Sequence, residues 1–298
     1  VIKEQKILKS RNELEHFLRL LMTIWNNHHR ESEFFSKLER ILKRFKNKMK
    51  QMLTNIEIFH IFQIKKMIVL FLIKEQIIRL DNIIINEIIN YEKDKTPRYF
   101  HFFIPEIEEK ADNETKRKIE KDIKMIKCDE YYFQKRLKGE NDAYICSLIR
   151  NDSIIDFISY INKTDLQLTS QIPYSIFETN SFLNENKPSL IEYATFCGSI
   201  QIFQYLINNK VKYDGKLWLY AIHSKNAEII EFLASNKIEP EDKTYEECYE
   251  ESVECHHYDI ADYIETNFLT PKKIEIDERI AKICYDTYKN NNYDLNYL

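Results

Sequence analysis

Two stretches of this chain carry nearly the same phrase. Ile191 to Ile207 reads I-E-Y-A-T-F-C-G-S-I-Q-I-F-Q-Y-L-I and Trp218 to Ala234 reads W-L-Y-A-I-H-S-K-N-A-E-I-I-E-F-L-A, with Ala194 and Ala221 setting the copies 27 residues apart. In each copy large apolar residues follow that alanine by eight, nine, eleven and twelve positions: Ile202, Phe203, Tyr205 and Leu206, then Ile229, Ile230, Phe232 and Leu233. Repetition at this period marks stacked units that each bury a face against the next. It constrains the fold more than any single residue does, and it points to binding rather than chemistry.

Weaker copies flank the two clear ones. Setting Cys146 against Ala221 aligns Ile154, Ile155, Phe157 and Ile158 with the same template, at a spacing of 48 from Ala194. The excess length falls in Lys163–Asn184, a polar segment with Pro173 that reads as a long connecting loop or an added small element. Setting Ser252 against Ala221, at an offset of 31, places Ile260, Ala261, Tyr263 and Ile264. About four units therefore occupy 141–270. Ile276, Ile280, Ile283 and Cys284 suffice for one further helix, so 271–298 reads as a C-terminal helical cap and tail.

The first 95 residues read as helices too. Leu14, Phe17, Leu18, Leu21, Met22 and Trp25 form an apolar stripe opened by a capping box from Ser10 to Glu13. Phe34, Leu38, Ile41, Leu42, Phe45, Met49 and Met52 continue a second stripe at three- and four-residue steps, and the two helices are expected to pair. Residues 56–90 resemble a degenerate extra unit. Thr96-Pro97 breaks the pattern, because the residue before a proline avoids helical geometry. The charged stretch that follows makes 96–140 a linker in this reading.

Composition closes off several function classes. With 44% hydrophobic residues in 298, the chain can fill a sizeable core, and a net charge of −4 demands no polyanionic partner. Three glycines, Gly139, Gly198 and Gly215, lie too far apart to cradle a phosphate, so no nucleotide fingerprint exists. Few glycines and prolines leave little turn material for a β-sandwich and favour an all-α chain. Six cysteines without a C-x-x-C pair read as reduced thiols of a cytoplasmic or nuclear protein. The longest uncharged apolar run, Met67–Ile73, is far short of a bilayer span.

The repeats resemble ankyrin repeats, whose consensus runs T-P-L-H-L-A-A-x-x-G-H-L-E-I-V-E-L-L-L. Ser189–Ile207 follows it nearly throughout, with Ala194 and Thr195 at the two alanines, Gly198 at the glycine and I-F-Q-Y-L-I at I-V-E-L-L-L. The next copy has Lys225 at the glycine, and the one after has His256 and His257 at Gly-His. The Thr-Pro-Leu-His opening is missing from every copy, although Thr244–Glu247 offers a capping box. The resemblance is to divergent ankyrin proteins of the kind that form large protist families. It implies an α-solenoid of helix-turn-helix repeats that binds a protein partner through a groove, with no catalysis, no cofactor, no metal and no small-molecule substrate. Mapping the family's variable positions onto this chain gives Asn186, Phe196, Cys197, Lys212, Tyr213, His223, Ser224, Glu254 and Cys255 as partner contacts.

Other constellations compete with this reading. Cys248, Cys255, His256 and His257 invite zinc, yet the two cysteines stand about 10 Å apart along one helix, too far to share an ion. Cys197 with His223 suggests a thiol and its base, the core of a cofactor-free hydrolase, but no orienting group or oxyanion site accompanies them. The helix at 33–50 carries Lys37, Arg40, Lys43, Arg44, Lys46, Lys48 and Lys50, and offers the alternative of an adaptor to anionic membrane or nucleic acid.

Overall fold

The structure is a computed structural model that describes residues 10–28, 32–91 and 99–269. Among these residues it is all-helical. The first helices are α1 (Arg11–His28), α2 (Ser32–Met52), α3 (Asn55–Phe62), α4 (Lys66–Lys74), α5 (Asn82–Ile89), α6 (Ile104–Lys110), α7 (Asn113–Lys118), α8 (Glu120–Lys127) and α9 (Tyr132–Lys138). They continue as α10 (Tyr144–Arg150), α11 (Ile154–Thr164), α12 (Ser181–Asn186), α13 (Leu190–Cys197), α14 (Ile200–Asn208), α15 (Leu217–Ser224), α16 (Ala227–Ser235), α17 (Glu246–Glu254) and α18 (Tyr258–Asn267). The sequence-expected cap at 271–298 lies outside the described residues. The chain divides into two compact units, Val1–Asp142 with Tyr174–Asn186, and Ala143–Pro173 with Lys187–Leu298.

In the first unit, the expected Ser10 capping box is present: Glu13 N–H donates to Ser10 Oγ at 3.2 Å and Ser10 N–H to Glu13 Oε2 at 3.0 Å. Helices α1 and α2 pair as their stripes require, with Phe17 and Phe45 ring centroids 5.0 Å apart. A second capping box, Thr54 with Glu57, opens α3.

The stretch read as a linker is built into this unit. Ile107, Ile123 and Ile126 are buried, and Arg136, 4% exposed, forks onto Glu106 at 2.7 and 2.9 Å while donating to Phe102 O at 3.0 Å. Tyr132 OH donates to the carbonyls of His101 and Phe102. A bidentate guanidinium–carboxylate pair satisfies the charges that desolvation would otherwise penalise. A run of Lys, Arg and Glu therefore conceals a core element.

The insertion at 174–186 belongs to the first unit as well. Ser175 Oγ donates to Asp142 Oδ1 at 2.7 Å, Thr179 bonds Gly139 O, and two buried lysines hold the segment from the other side. Lys66 Nζ donates to Ile176 O and Lys65 Nζ to Ser181 Oγ, each at 2.8 Å. Burial lowers Lys65 to about 7 and Lys66 to about 8, the carboxylates of Glu185 and Glu178 opposing the shift. An unfolded lysine titrates near 10.4, so between these values the unfolded chain binds more protons and stability climbs with pH. The melting temperature should accordingly rise from about pH 7 to about pH 9. The double variant Lys65→Met, Lys66→Met should flatten that rise in a series of thermal melts.

In the second unit, α10 with α11, α13 with α14, α15 with α16, and α17 with α18 form antiparallel pairs. The first helices pack in one row, α10 on α13 on α15 on α17, and α11 packs on α14. Between the second helices, Phe157 meets Tyr205 and Phe203 meets Phe232 edge-on. Each pair turns on a left-handed residue: Asp152, Gly198, Lys225 and His256, with φ of 48°, 69°, 54° and 54°. Six-to-one bonds from the following N–H close three of these corners: Ser153 to Leu148 O, Ser199 to Ala194 O and His257 to Ser252 O. The spacings of 27 and 31 residues hold, but the first repeat's counterpart of Ala194 is Leu148, two residues beyond Cys146. Polar Asp152 at the corner hid this register, because only its backbone conformation marks it. The last pair also differs from expectation, since Asp242 rather than Thr244 receives Glu247 N–H, at 3.2 Å.

Two glycines are required for different reasons. Gly198 needs its positive φ, and a Cβ there would make only ordinary contacts with Asn226 and Ser224. A Cβ on Gly215 would collide with the backbone of Glu239 and Pro240, so two connecting segments touch there. Gly198→Ala should cost about 1 kcal/mol, the strain of a left-handed alanine alone. Gly215→Ala should cost more, about 2 to 3 kcal/mol, because backbone must move. Denaturant melts of both variants check the ordering.

Candidate functional site

Counting from Leu148, Ala194, Ala221 and Ser252, equivalent positions of successive first helices come side by side. The residue two positions on is Arg150, Phe196, His223 or Glu254, and the residue one position before is Ser147, Tyr193, Tyr220 or Glu251. These two rows meet across repeat boundaries. Arg150 Nη1 donates to Tyr193 OH at 2.8 Å, and His223 Nε2 lies 2.9 Å from Glu251 Oε1. The rings of Phe196 and His223 stand 5.3 Å apart.

A second set of contacts ties each second helix to the preceding repeat. Ser199, at the N-terminus of α14, donates from Oγ to Ile149 O at 2.5 Å; Asn226, before α16, donates from Nδ2 to Gly198 O at 3.0 Å; His257, before α18, holds Nδ1 2.9 Å from Ile222 O. Three side chains of different chemistry thus do one job at one position. Asp152 adds a fourth tie, accepting the N–H groups of Gln201 and Ile202 at the start of α14.

The nine contact positions named from sequence distribute unevenly. Lys212 and Asn186 are exposed and Tyr213 is 36% exposed, its ring 6.4 Å from that of Phe232. Cys197, His223, Ser224 and Glu254 are half-buried. Phe196 and Cys255 are 2% and 1% exposed, so neither presents side-chain area to a partner: both are clamped between adjacent first helices. Asn186 ends α12 and belongs to the first unit, whereas the other eight belong to the second.

The structure brings a further thiol, that of Cys255, to His223. Cys255 Sγ lies 3.6 Å from His223 Nδ1 and 3.8 Å from Glu251 Oε1, and donor atoms of the three residues all fall within 4.8 Å. Cys255, His223 and Glu251 thus have the order of nucleophile, base and orienting carboxylate. The thiol does not suit that role, because burial first, and then Glu251 and Glu254, raise it well above its ordinary value and hold it protonated. Glu251 escaped sequence reasoning, although its place four residues before Cys255 on one helix was the available signal. His256 and His257 turn elsewhere, to Tyr258 OH and Ile222 O, and Cys248 is buried, so the four-residue zinc grouping does not assemble.

On α2, the basic face is partly used internally. Lys43 lies 3.0 Å from Glu75 and over the Phe71 ring, and Lys46 Nζ donates to Glu75 O; Lys37, Arg40, Arg44 and Lys50 remain exposed. Among the described residues no helix is long and apolar enough to cross a membrane. Comparison of the chain with protein families, with curated proteins and with solved structures found no match.

Burial lowers His257 below the ordinary histidine range; Lys225 and His223 add to the shift, and the bond to Ile222 O opposes it. Its neutral ring favours the folded state, so stability is complete above the unfolded value near 6.5 and declines as pH falls below it. Thermal melts between about pH 7.5 and about pH 5.5 should show that decline. His257→Asn keeps an N–H donor without the titration and should shrink it.

Proposed function

We propose that residues 143–269 form an ankyrin-like α-solenoid that binds a protein partner and performs no catalysis. The observation that carries this reading is the single row of first helices, α10, α13, α15 and α17, in which the same pair of positions meets at two boundaries, as Arg150 with Tyr193 and as His223 with Glu251. A row of this kind offers a partner a surface extended over several repeats, whereas catalysis needs convergent groups in an enclosed pocket. The buried, protonated Cys255 weighs against the thiol-hydrolase alternative.

Within that surface the contacts rest on exposed and half-exposed members of the sequence-derived set: Lys212, Tyr213, Ser224 and Glu254 in the second unit. Tyr213 is the expected anchor, since aromatic residues dominate binding energy at such interfaces. A cytoplasmic location is the one the sequence reading assigns, and the described cysteines form no disulfide with one another. The rival use of α2 as a membrane or nucleic-acid adaptor is weakened by the engagement of Lys43 and Lys46 with Glu75.

The test is capture from the native cell with the full chain, followed by an affinity measurement on the purified partner. Tyr213→Ala with Lys212→Ala should weaken binding at least about tenfold, a loss of about 1.4 kcal/mol. Arg40→Ala with Lys50→Ala should leave it unchanged. The reverse pattern would move the binding surface to α2.

A further inference from the structure

We propose that His223, Glu251 and Cys255 form a binding site for a divalent ion of borderline softness, zinc(II), that clasps α15 to α17. The proposal goes beyond the partner-binding reading and stands on separate observations. Three donors of different type, an imidazole nitrogen, a carboxylate oxygen and a thiol sulfur, converge from two neighbouring repeats within 4.8 Å. Zinc takes sulfur at about 2.3 Å and nitrogen or oxygen at about 2.0 to 2.2 Å, so tetrahedral coordination sets a sulfur about 3.5 Å from its neighbouring donors. The sulfur here lies 3.6 Å from His223 Nδ1 and 3.8 Å from Glu251 Oε1. Those edges are already close to the ones an ion requires, and Glu251 needs only to turn from His223 Nε2 toward the common centre.

Charge and burial agree with the geometry. Binding releases the Cys255 thiol proton to solvent, leaving a thiolate, a carboxylate and a neutral imidazole that together cancel the ion's two positive charges. The assembled site is neutral, which suits a place where the Cys255 side chain is almost wholly buried and His223 and Glu251 are 10% and 23% exposed. The more open Glu251 side supplies the entry path, and a water completes the fourth corner. Sulfur, nitrogen and a single carboxylate disfavour magnesium and calcium, which take oxygen donors. Glu251 and Cys255 sit four residues apart on one helix and turn, so α17 presents two ligands together, and the Phe196 ring packs against the third.

The experiment uses the full chain, reduced and stripped with a chelator, then titrated with zinc(II) against a chromophoric competitor and separately with cobalt(II). The expected result is one ion per chain with sub-micromolar affinity, a melting temperature that rises with zinc concentration, and a thiolate-to-cobalt charge-transfer band. Cys255→Ser should abolish that band and, like His223→Gln, lower affinity at least tenfold, whereas Cys248→Ser and His256→Gln should change neither. Absence of tight binding, or binding undiminished by Cys255→Ser, would overturn the proposal. If Cys255→Ser does not fold by circular dichroism, Glu251→Gln decides: weakened binding supports the site, and unchanged binding refutes it.

Discussion

The second unit depends on a bond that crosses each repeat boundary at the same place. The residue that opens a second helix reaches back to a carbonyl in the last turn of the preceding repeat's first helix or at its corner: Ser199 to Ile149, Asn226 to Gly198, His257 to Ile222. Ile149 and Ile222 lie in the last turns of α10 and α15, where their carbonyls also accept the Asp152 and Lys225 N–H groups, and Gly198 is the corner residue just past α13. One side chain therefore adds a bond between the end of one helix pair's first helix or its corner and the start of the next second helix, and so fixes the spacing of two repeats. Asn226 does more, since its Oδ1 also accepts the Glu228 and Ile229 N–H groups and so caps its own helix. Apolar burial supplies the bulk of the stabilisation, but it is non-directional, and these ties give the stack its register.

The apolar phrase made the second unit legible from sequence. Ile202, Phe203 and Leu206, and likewise Ile229, Ile230 and Leu233, are buried where their spacing put them. Side-chain pattern sets the first repeat two residues off its observed register, because Cys146, Leu148 and Ile149 are all buried and apolar and nothing in the pattern chooses among them. The corner residue chooses. Asp152, Lys225 and His256 adopt the left-handed conformation that Gly198 adopts, and in a chain with three glycines such corners cannot be found by looking for glycine. The missing Thr-Pro-Leu-His opening matters less than it seemed from sequence, because a Ser189–Glu192 capping box opens α13 in its stead.

The first unit and the side-chain cluster were harder to read for a related reason. Arg136 and Glu106 are thirty residues apart, and a bidentate pair between them has no sequence period. Lys65 and Lys66 look like the solvated flank of an apolar run, yet their Nζ groups hold a segment more than a hundred residues away. His223 and Cys255 were both visible as candidates, but their meeting depends on a repeat offset that places position two of one helix beside the next. Glu251 becomes meaningful only after that offset is known.

Hydrogen exchange on Asn226→Asp tests the boundary bond most directly. The substitution keeps the oxygen that caps α16 and removes the N–H that reaches Gly198 O. The account predicts faster exchange across α13 and the start of α14, in the repeat that residue 226 does not belong to. Protection there equal to that of the unaltered chain would contradict it.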